Sequence, residues 1–202
     1  MRGPSTVTTR RRGRPPKSDD PSTRDRLLDA AAVACASDGF EAVTVAGIAE
    51  RADVTATAIY NHFQTKEELL YVAGRRALEQ LAATLSSNGH ELRGVHDVAA
   101  AFLRPDMATT RALLLELHMA SVRHPELATY MSQWHKEFAK LFASFAPGPA
   151  ATQKAAVKAL FLLLLGLCHY EQLSGVRADH AKVGREVEAM VQSLFPASVP
   201  PA

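Results

Sequence analysis

The 202-residue chain, 47% hydrophobic and 22% charged, is long enough for one large domain or two small ones around a real core. Its net charge of +2 excludes a strongly acidic body, and its two cysteines, Cys35 and Cys168, exclude a disulfide framework. Both sit in apolar runs and read as reduced, buried thiols of a cytoplasmic protein. The N-terminus is polar and arginine-rich, unlike a secretory signal. The most apolar run, Ala159 to Cys168, has ten residues, against about 20 for a membrane helix. No membrane partner is expected.

The net charge hides an asymmetry. Residues 1–20 hold six Arg/Lys and two Asp, whereas residues 21–76 hold six Arg/Lys and eight Asp/Glu. Residues 1–21 are rich in Pro, Gly, Ser, Thr and Arg. Such a segment buries too little apolar surface to offset its ordering entropy, so a disordered basic arm is expected.

Helical spacing then recurs to the end, and the strict alternation of a half-buried strand is absent. The first helix spans Ser22 to Asp38, with Leu27, Leu28, Ala31 and Cys35 on one face and Gly39 as its C-terminal cap. Thr44 caps a short helix, VAGIAERA, and "DV" makes a tight turn. Thr55 caps a second short helix, ATAIYNHF, with Ile59 and Phe63 inward. A longer helix opens at QTKEELL, where Thr65 and Glu68 stand at capping-box spacing. It runs to about Ser86. Two short helices joined by a tight turn form a helix-turn-helix, whose second helix can enter the major groove. Its exposed face comprises Ala56, Thr57, Tyr60 and Asn61.

Five more helices are expected: Val95–Leu103, Asp106–Arg123, Pro125–Ala146, Ala150–Leu173 and Asp179–Phe195. The third carries the clearest stripe, Leu127, Tyr130, Met131, Trp134, Phe138, Leu141 and Phe145. The fourth is apolar all round after Lys158 and should be covered on every side. The last presents Val183, Val187, Met190, Val191 and Leu194 on one face. The fold class is therefore all-α, with about nine helices.

The stretch from Arg26 to Leu70 resembles the DNA-binding domain of the TetR family of transcriptional regulators. The landmarks are Gly39-Phe40, Thr44-Val45, IAERA, IYNHF and TKEELL, in order over some 45 residues. The resemblance implies a helix-turn-helix domain over 22–70 and a C-terminal helical effector-binding and dimerisation domain over 71–196, with a disordered tail at 197–202. It implies a homodimer, paired through the last two helices, on a palindromic double-stranded operator. A small hydrophobic effector would move the fourth helix and release the DNA. By the same resemblance Thr44 matches a phosphate-contacting cap and Thr55 the cap of the recognition helix. Ala56, Thr57 and Asn61 match base-facing positions. Tyr60 and His62 match positions used on the DNA backbone or in the core, and Lys66 matches a lysine that meets a phosphate.

The chain departs from that pattern in four places. Ala46 and Ala56 stand where many members carry Arg or Lys, so cations are missing from the DNA face. Asp53 replaces a turn glycine, which the tolerance of Asp for the left-handed conformation permits. Cys35 replaces a large aromatic. Phosphate contacts would then come from hydroxyls, backbone N–H groups and helix N-termini.

The arm bears on this deficit. RGRP, Arg12 to Pro15, resembles the core of an AT-hook. Arg12 and Arg14 flank a glycine that cannot clash with a groove floor, and a narrow A·T-rich minor groove attracts inserted arginine. Two readings stand: the arm reads A·T-rich flanks, or it adds only non-specific attraction.

Candidates for an effector pocket are Phe102, His118, Met131, Trp134, Phe138 and His169. Each has a plain alternative as core packing, and His169 could instead lie on the dimer seam. The histidines do not pair with Cys or carboxylates at metal-site spacing, so neither metal nor cofactor is expected. G-x-S-x-G, phosphate-cradling and H-E-x-x-H motifs are absent, which argues against an enzyme. The rival reading is a DNA-binding architectural or protein-regulated factor whose C-terminal bundle is filled.

Overall fold

The computed structural model describes residues 22–87, 95–143, 145–173 and 180–195. Among them the chain is all-α: α1 (Thr23–Asp38), α2 (Val45–Arg51), α3 (Ala56–Tyr60), α4 (Lys66–Ser87), α5 (Val95–Phe102), α6 (Ala108–Ser121), α7 (Pro125–Ala143), α8 (Ala150–Gln172) and α9 (His180–Leu194). The expected arm, with its RGRP motif, and the tail at 197–202 lie outside the described residues.

Local chemistry sets the ends of the first helices. The Ser22 hydroxyl accepts from the Asp25 amide at 3.2 Å and donates to the Asp25 carboxylate at 2.7 Å. Gly39 ends α1 at φ 82° and ψ 155°, its N–H donating to the Cys35 carbonyl. That backbone conformation is essentially restricted to glycine. Thr65 accepts from the Glu68 amide at 3.1 Å, while the Glu68 carboxylate accepts from the Gln64 amide at 2.7 Å. This is a capping box displaced by one residue.

Three helices, α3, α6 and α7, differ from expectation by two or more residues at an end. Residues Pro105–Met107 form a 3-10 turn, so α6 starts at Ala108 and ends at Ser121. Pro105 lacks an N–H and fixes φ, which suits a tight first turn. The recognition helix stops at Tyr60, and α7 stops at Ala143, leaving Phe145 outside it and exposed.

Two apolar cores result. The first joins the head to the body: Leu27 and Leu28 of α1, Ile48, Ile59, Leu69 and Leu70 pack with Leu113 and Leu117 of α6 and Met131 of α7. Helix α1 lies against both α4 and α6. At Gly74 the α4 backbone approaches α6 so closely that an added Cβ would sit 2.9 Å from Leu117 Cδ1. The second core gathers Val95, Phe142, Val157, Leu160, Val187 and Val191 from α5, α7, α8 and α9.

A buried cation ties the body together. Arg111 is 1% exposed. Its guanidinium donates to the Phe102 carbonyl, to the Arg104 carbonyl at 2.8 Å and to Glu171 Oε2 at 2.6 Å. One side chain thereby holds the α5–α6 corner against α8.

The expectation that α8 is covered on every side is not met within this chain. Val157, Leu160, Leu167 and Cys168 are buried, but Leu162 is 72% exposed and Leu173 is exposed too. The ten-residue apolar run lies within a helix long and apolar enough, by length and composition, to cross a membrane. Its contacts with α6, α7 and α9 place it in the helical bundle. Met190 likewise leaves the buried face of α9 and is exposed.

Candidate nucleic-acid interface and effector cavity

The head is built around two capped helices. Thr44 Oγ1 accepts from the Gly47 amide at 3.1 Å, and Thr55 Oγ1 accepts from the Ala58 amide at 3.3 Å. Between them Asp53 adopts φ 54°, the left-handed conformation required of the residue in the glycine's place. Ile48, Ala49 and Ile59 are buried, which leaves Thr44, Thr55, Ala56, Thr57, Tyr60, Asn61 and His62 facing solvent. Tyr60 is 60% exposed, so it is no core aromatic.

Lys66 departs from this pattern. Its ammonium donates to the Phe40 carbonyl at 2.9 Å and the Val43 carbonyl at 3.2 Å, and lies 4.5 Å from the centre of the Phe40 ring. It clamps the α1–α2 loop, leaving one N–H of three for anything else.

Other cations of the head are also occupied. Arg51 pairs with Asp38 at 2.7 Å, and Arg76 pairs with Asp25 and Asp29. Hydrogen bonding from Ser22, followed by the charge of Arg76, holds the Asp25 carboxyl below its ordinary range. Arg24 is exposed and stands 5.5 Å over the Phe63 ring, just beyond α3. Sequence reasoning passed it over. Its position immediately after the basic arm was the available signal.

The body contains an apolar cavity of about 60 Å³ lined by Phe102, Leu114, His118, Trp134, Phe138 and Phe161, among others. Four of the six expected pocket residues therefore converge: Phe102, His118, Trp134 and Phe138. The other two do not. Met131 is buried in the first core and His169 is exposed on α8. Phe161, absent from the sequence reading, closes the cavity toward α8.

His118 has a partner that sequence spacing did not reveal. Its Nδ1 lies 2.6 Å from the Leu114 carbonyl, and its Nε2 lies 2.9 Å from His135 Nε2. A carbonyl only accepts, so Nδ1 carries the proton. Its Nε2 then accepts from His135 Nε2–H, and His135 Nδ1 keeps its lone pair. Burial pushes the His118 imidazole down to about 4 and lowers His135 as well. The pair is neutral at pH 7. Among the described residues no group of three or more His, Cys, Asp or Glu could hold a metal ion. Burial likewise raises Cys35 and Cys168 to about 12, so neither is a ready thiolate.

Helix α6 carries both the cavity and a contact to the head. Glu116 Oε2 accepts from the Phe40 amide at 2.9 Å. Two turns on, Arg123 and His124 reach Glu41 at 2.9 and 3.1 Å. These hydrogen bonds, Arg123 first, hold the Glu41 carboxyl below its ordinary range. The loop between α1 and α2 is thus gripped from α6 by Glu116 and from α4 by Lys66.

A capped helix-turn-helix on a helical body defines a DNA-binding transcriptional regulator, a non-enzymatic class. Residues 27–71 match the family model for bacterial regulatory proteins of the tetR family, and residues 90–197 match that for the tetracyclin repressor-like C-terminal domain. The chain belongs to the TetR family of transcriptional regulators. It is 28% identical over 137 residues to the HTH-type transcriptional repressor KstR2 of Rhodococcus jostii, a match covering 63% of this chain and 67% of that protein. The crystal structure of a transcriptional regulator from Rhodococcus sp. Rha1 superposes with a TM-score of 0.69 at 19% identity, over 89% of this chain and all of that one. The multidrug binding protein EbrR complexed with ethidium superposes at 0.59 with 26% identity, over 87% of this chain and 99% of that one.

Proposed function

We propose that this regulator is a homodimeric repressor that holds a near-palindromic operator and is released by a small, largely apolar effector. The observation that carries the reading is that α6 serves both regions. Its His118 lines the apolar cavity and its Glu116 holds the Phe40 amide of the head. A ligand that displaces α6 moves the loop that leads into α2. The likeness to KstR2, a repressor, and to EbrR, solved with ethidium, supports repression and a small ligand.

Pairing through α8 and α9 is supported by Leu162, Leu173 and Met190, apolar side chains that this chain leaves in water. A two-fold dimer presents two equivalent heads and so calls for two equivalent half-sites. On this reading Thr57, Tyr60 and Asn61 face the bases or backbone, Ala56 lets α3 approach closely, and Thr44, Thr55, His62 and Lys66 lie along phosphates. Arg12 and Arg14 of the basic arm supply cations that the head commits elsewhere.

The test is an unbiased selection of DNA sites, run on the full chain and on a chain starting at Ser22, at two salt concentrations. One palindrome from both, with A·T-rich flanks enriched only by the full chain, is the expected result. Equal flanks with a smaller salt slope would reduce the arm to a tether. Failure of both chains to select a palindrome would overturn the operator reading.

A further inference from the structure

The inner cavity of about 60 Å³ is too small for an effector, since small-molecule sites run to about 300–1,000 Å³. A second opening lies directly behind its wall. Between α7 and α8 runs a groove of about 440 Å³ with an apolar floor of Ala139, Val157 and Leu165 and the exposed Leu162 at its outer edge. His118, Phe161 and Leu165 line both spaces, so the partition between them is a single layer of side chains. Within that layer Phe161 packs on the groove-side His135, their ring centres 4.3 Å apart.

The mouth of the groove carries three cations, Lys136 from α7 and Lys154 and Lys158 from α8. All three are exposed and none has an ion pair among the described residues. Lys154 and Lys158 stand four apart on one helix face, an arrangement that like charges disfavour. Three unneutralised ammonium groups on the rim of an apolar groove favour a ligand that is greasy along its length and anionic at one end. The neutral His118–His135 pair offers no charge that would oppose an apolar tail.

Resting on the effector reading above, we propose that the groove and the inner cavity are two parts of one site for an amphipathic anion. Its charged head sits among Lys136, Lys154 and Lys158, and its unbranched apolar tail passes Phe161 into the cavity beside Trp134 and Phe138. The tail displaces the Phe161 ring and with it the packing against His118 on α6. The ligand thus reaches the helix that holds the head.

The experiment titrates the full chain with dodecanoate, dodecanol and dodecyltrimethylammonium below their micellar concentrations, read by calorimetry and thermal shift. Dodecanoate should bind saturably, about tenfold tighter than dodecanol, the increment of one charge-assisted hydrogen bond. The ammonium amphiphile should bind weakest. The variant Lys136→Gln/Lys154→Gln/Lys158→Gln, which alters only exposed side chains, should bring dodecanoate and dodecanol to parity. Phe161→Ala, which opens the wall, should favour dodecanoate over octanoate more than the unaltered chain does. Equal binding of dodecanoate and dodecanol to the unaltered chain overturns the anion site and leaves the apolar-effector reading standing. Preference for the cation does the same. No saturable binding by any of the three overturns both. A triple variant that loses self-association, from a parent with no anion preference, would assign the groove to a second copy of this chain and overturn the proposal.

Discussion

The Phe40 amide and Glu116 Oε2 meet at 2.9 Å across 76 positions of sequence. A backbone N–H just beyond α1 is satisfied by a side chain of α6. Gly39 leaves room for it, since a Cβ there would lie 3.4 Å from the same oxygen. Glu116→Leu strands that N–H in a part-buried place and should cost about 1–3 kcal/mol. Glu116→Gln keeps an accepting oxygen and should cost less than about 1 kcal/mol. Urea denaturation of the two variants checks the order. If α6 transmits the ligand signal, Glu116→Leu should also blunt ligand-induced release from DNA, read in a gel-shift titration.

Tyr60 and Lys66 should separate under mutation. Tyr60 is 60% exposed. Tyr60→Ala should leave stability within about 0.5 kcal/mol and self-association unchanged. It should weaken DNA binding by about 1–3 kcal/mol. Lys66→Ala removes two bonds to backbone carbonyls and should lower both stability and DNA affinity. Calorimetry paired with fluorescence anisotropy on operator DNA distinguishes them.

Arg111 and Glu171 form the most buried ion pair among the described residues. Removing one partner strands a buried charge. Arg111→Met or Glu171→Leu should each cost about 3–5 kcal/mol, and the double variant should cost less than the two singles combined. A double-mutant cycle by chemical denaturation measures the coupling. Additive losses would show that the Phe102 and Arg104 carbonyls, not Glu171, dominate the role of Arg111.

Acid should loosen the body through His118. Its folded pKa of about 4 lies below the ordinary 6.5, so between those values the unfolded chain binds more protons. Stability is therefore held above pH 6.5 and falls as pH drops toward 4, by as much as ~3 kcal/mol. His135 shifts the same way and adds to the slope. His118→Leu should flatten most of the decline between pH 6.5 and 4.5. Glu41 and Asp25 titrate below that interval, and their exposed pairs should not obscure it.

What could be read from sequence was local. Thr44, Thr55, Gly39 and Asp53 announce themselves because a cap or a left-handed turn is decided by the residue and its neighbours. The buried faces of α1 and α3 follow from helical period for the same reason. Contacts between distant elements were not legible. Lys66 folding back on the α1–α2 loop, Arg111 meeting Glu171 and His118 meeting His135 depend on packing angles that no spacing encodes. The place of Lys66 at a helix start marks it as a charge for any acceptor within reach, and its two carbonyl partners are set by packing. Apolar context alone points His169 to the cavity or the dimer seam, and Met131 to the cavity. The rotation of α8 and α7 sends one to solvent and the other into the first core.

Gly74 has a mechanical consequence. Where most helix pairs meet through two layers of side chains, α4 meets Leu117 of α6 with bare backbone. Side chains absorb small displacements by changing rotamer, but a backbone has no such slack. A shift of α6 by a few tenths of an ångström therefore reaches α4 through one layer of side chains, that of Leu113, Leu114 and Leu117, with half the usual slack. Gly74→Ala would put a rigid methyl 2.9 Å from Leu117 Cδ1 and wedge the two helices apart.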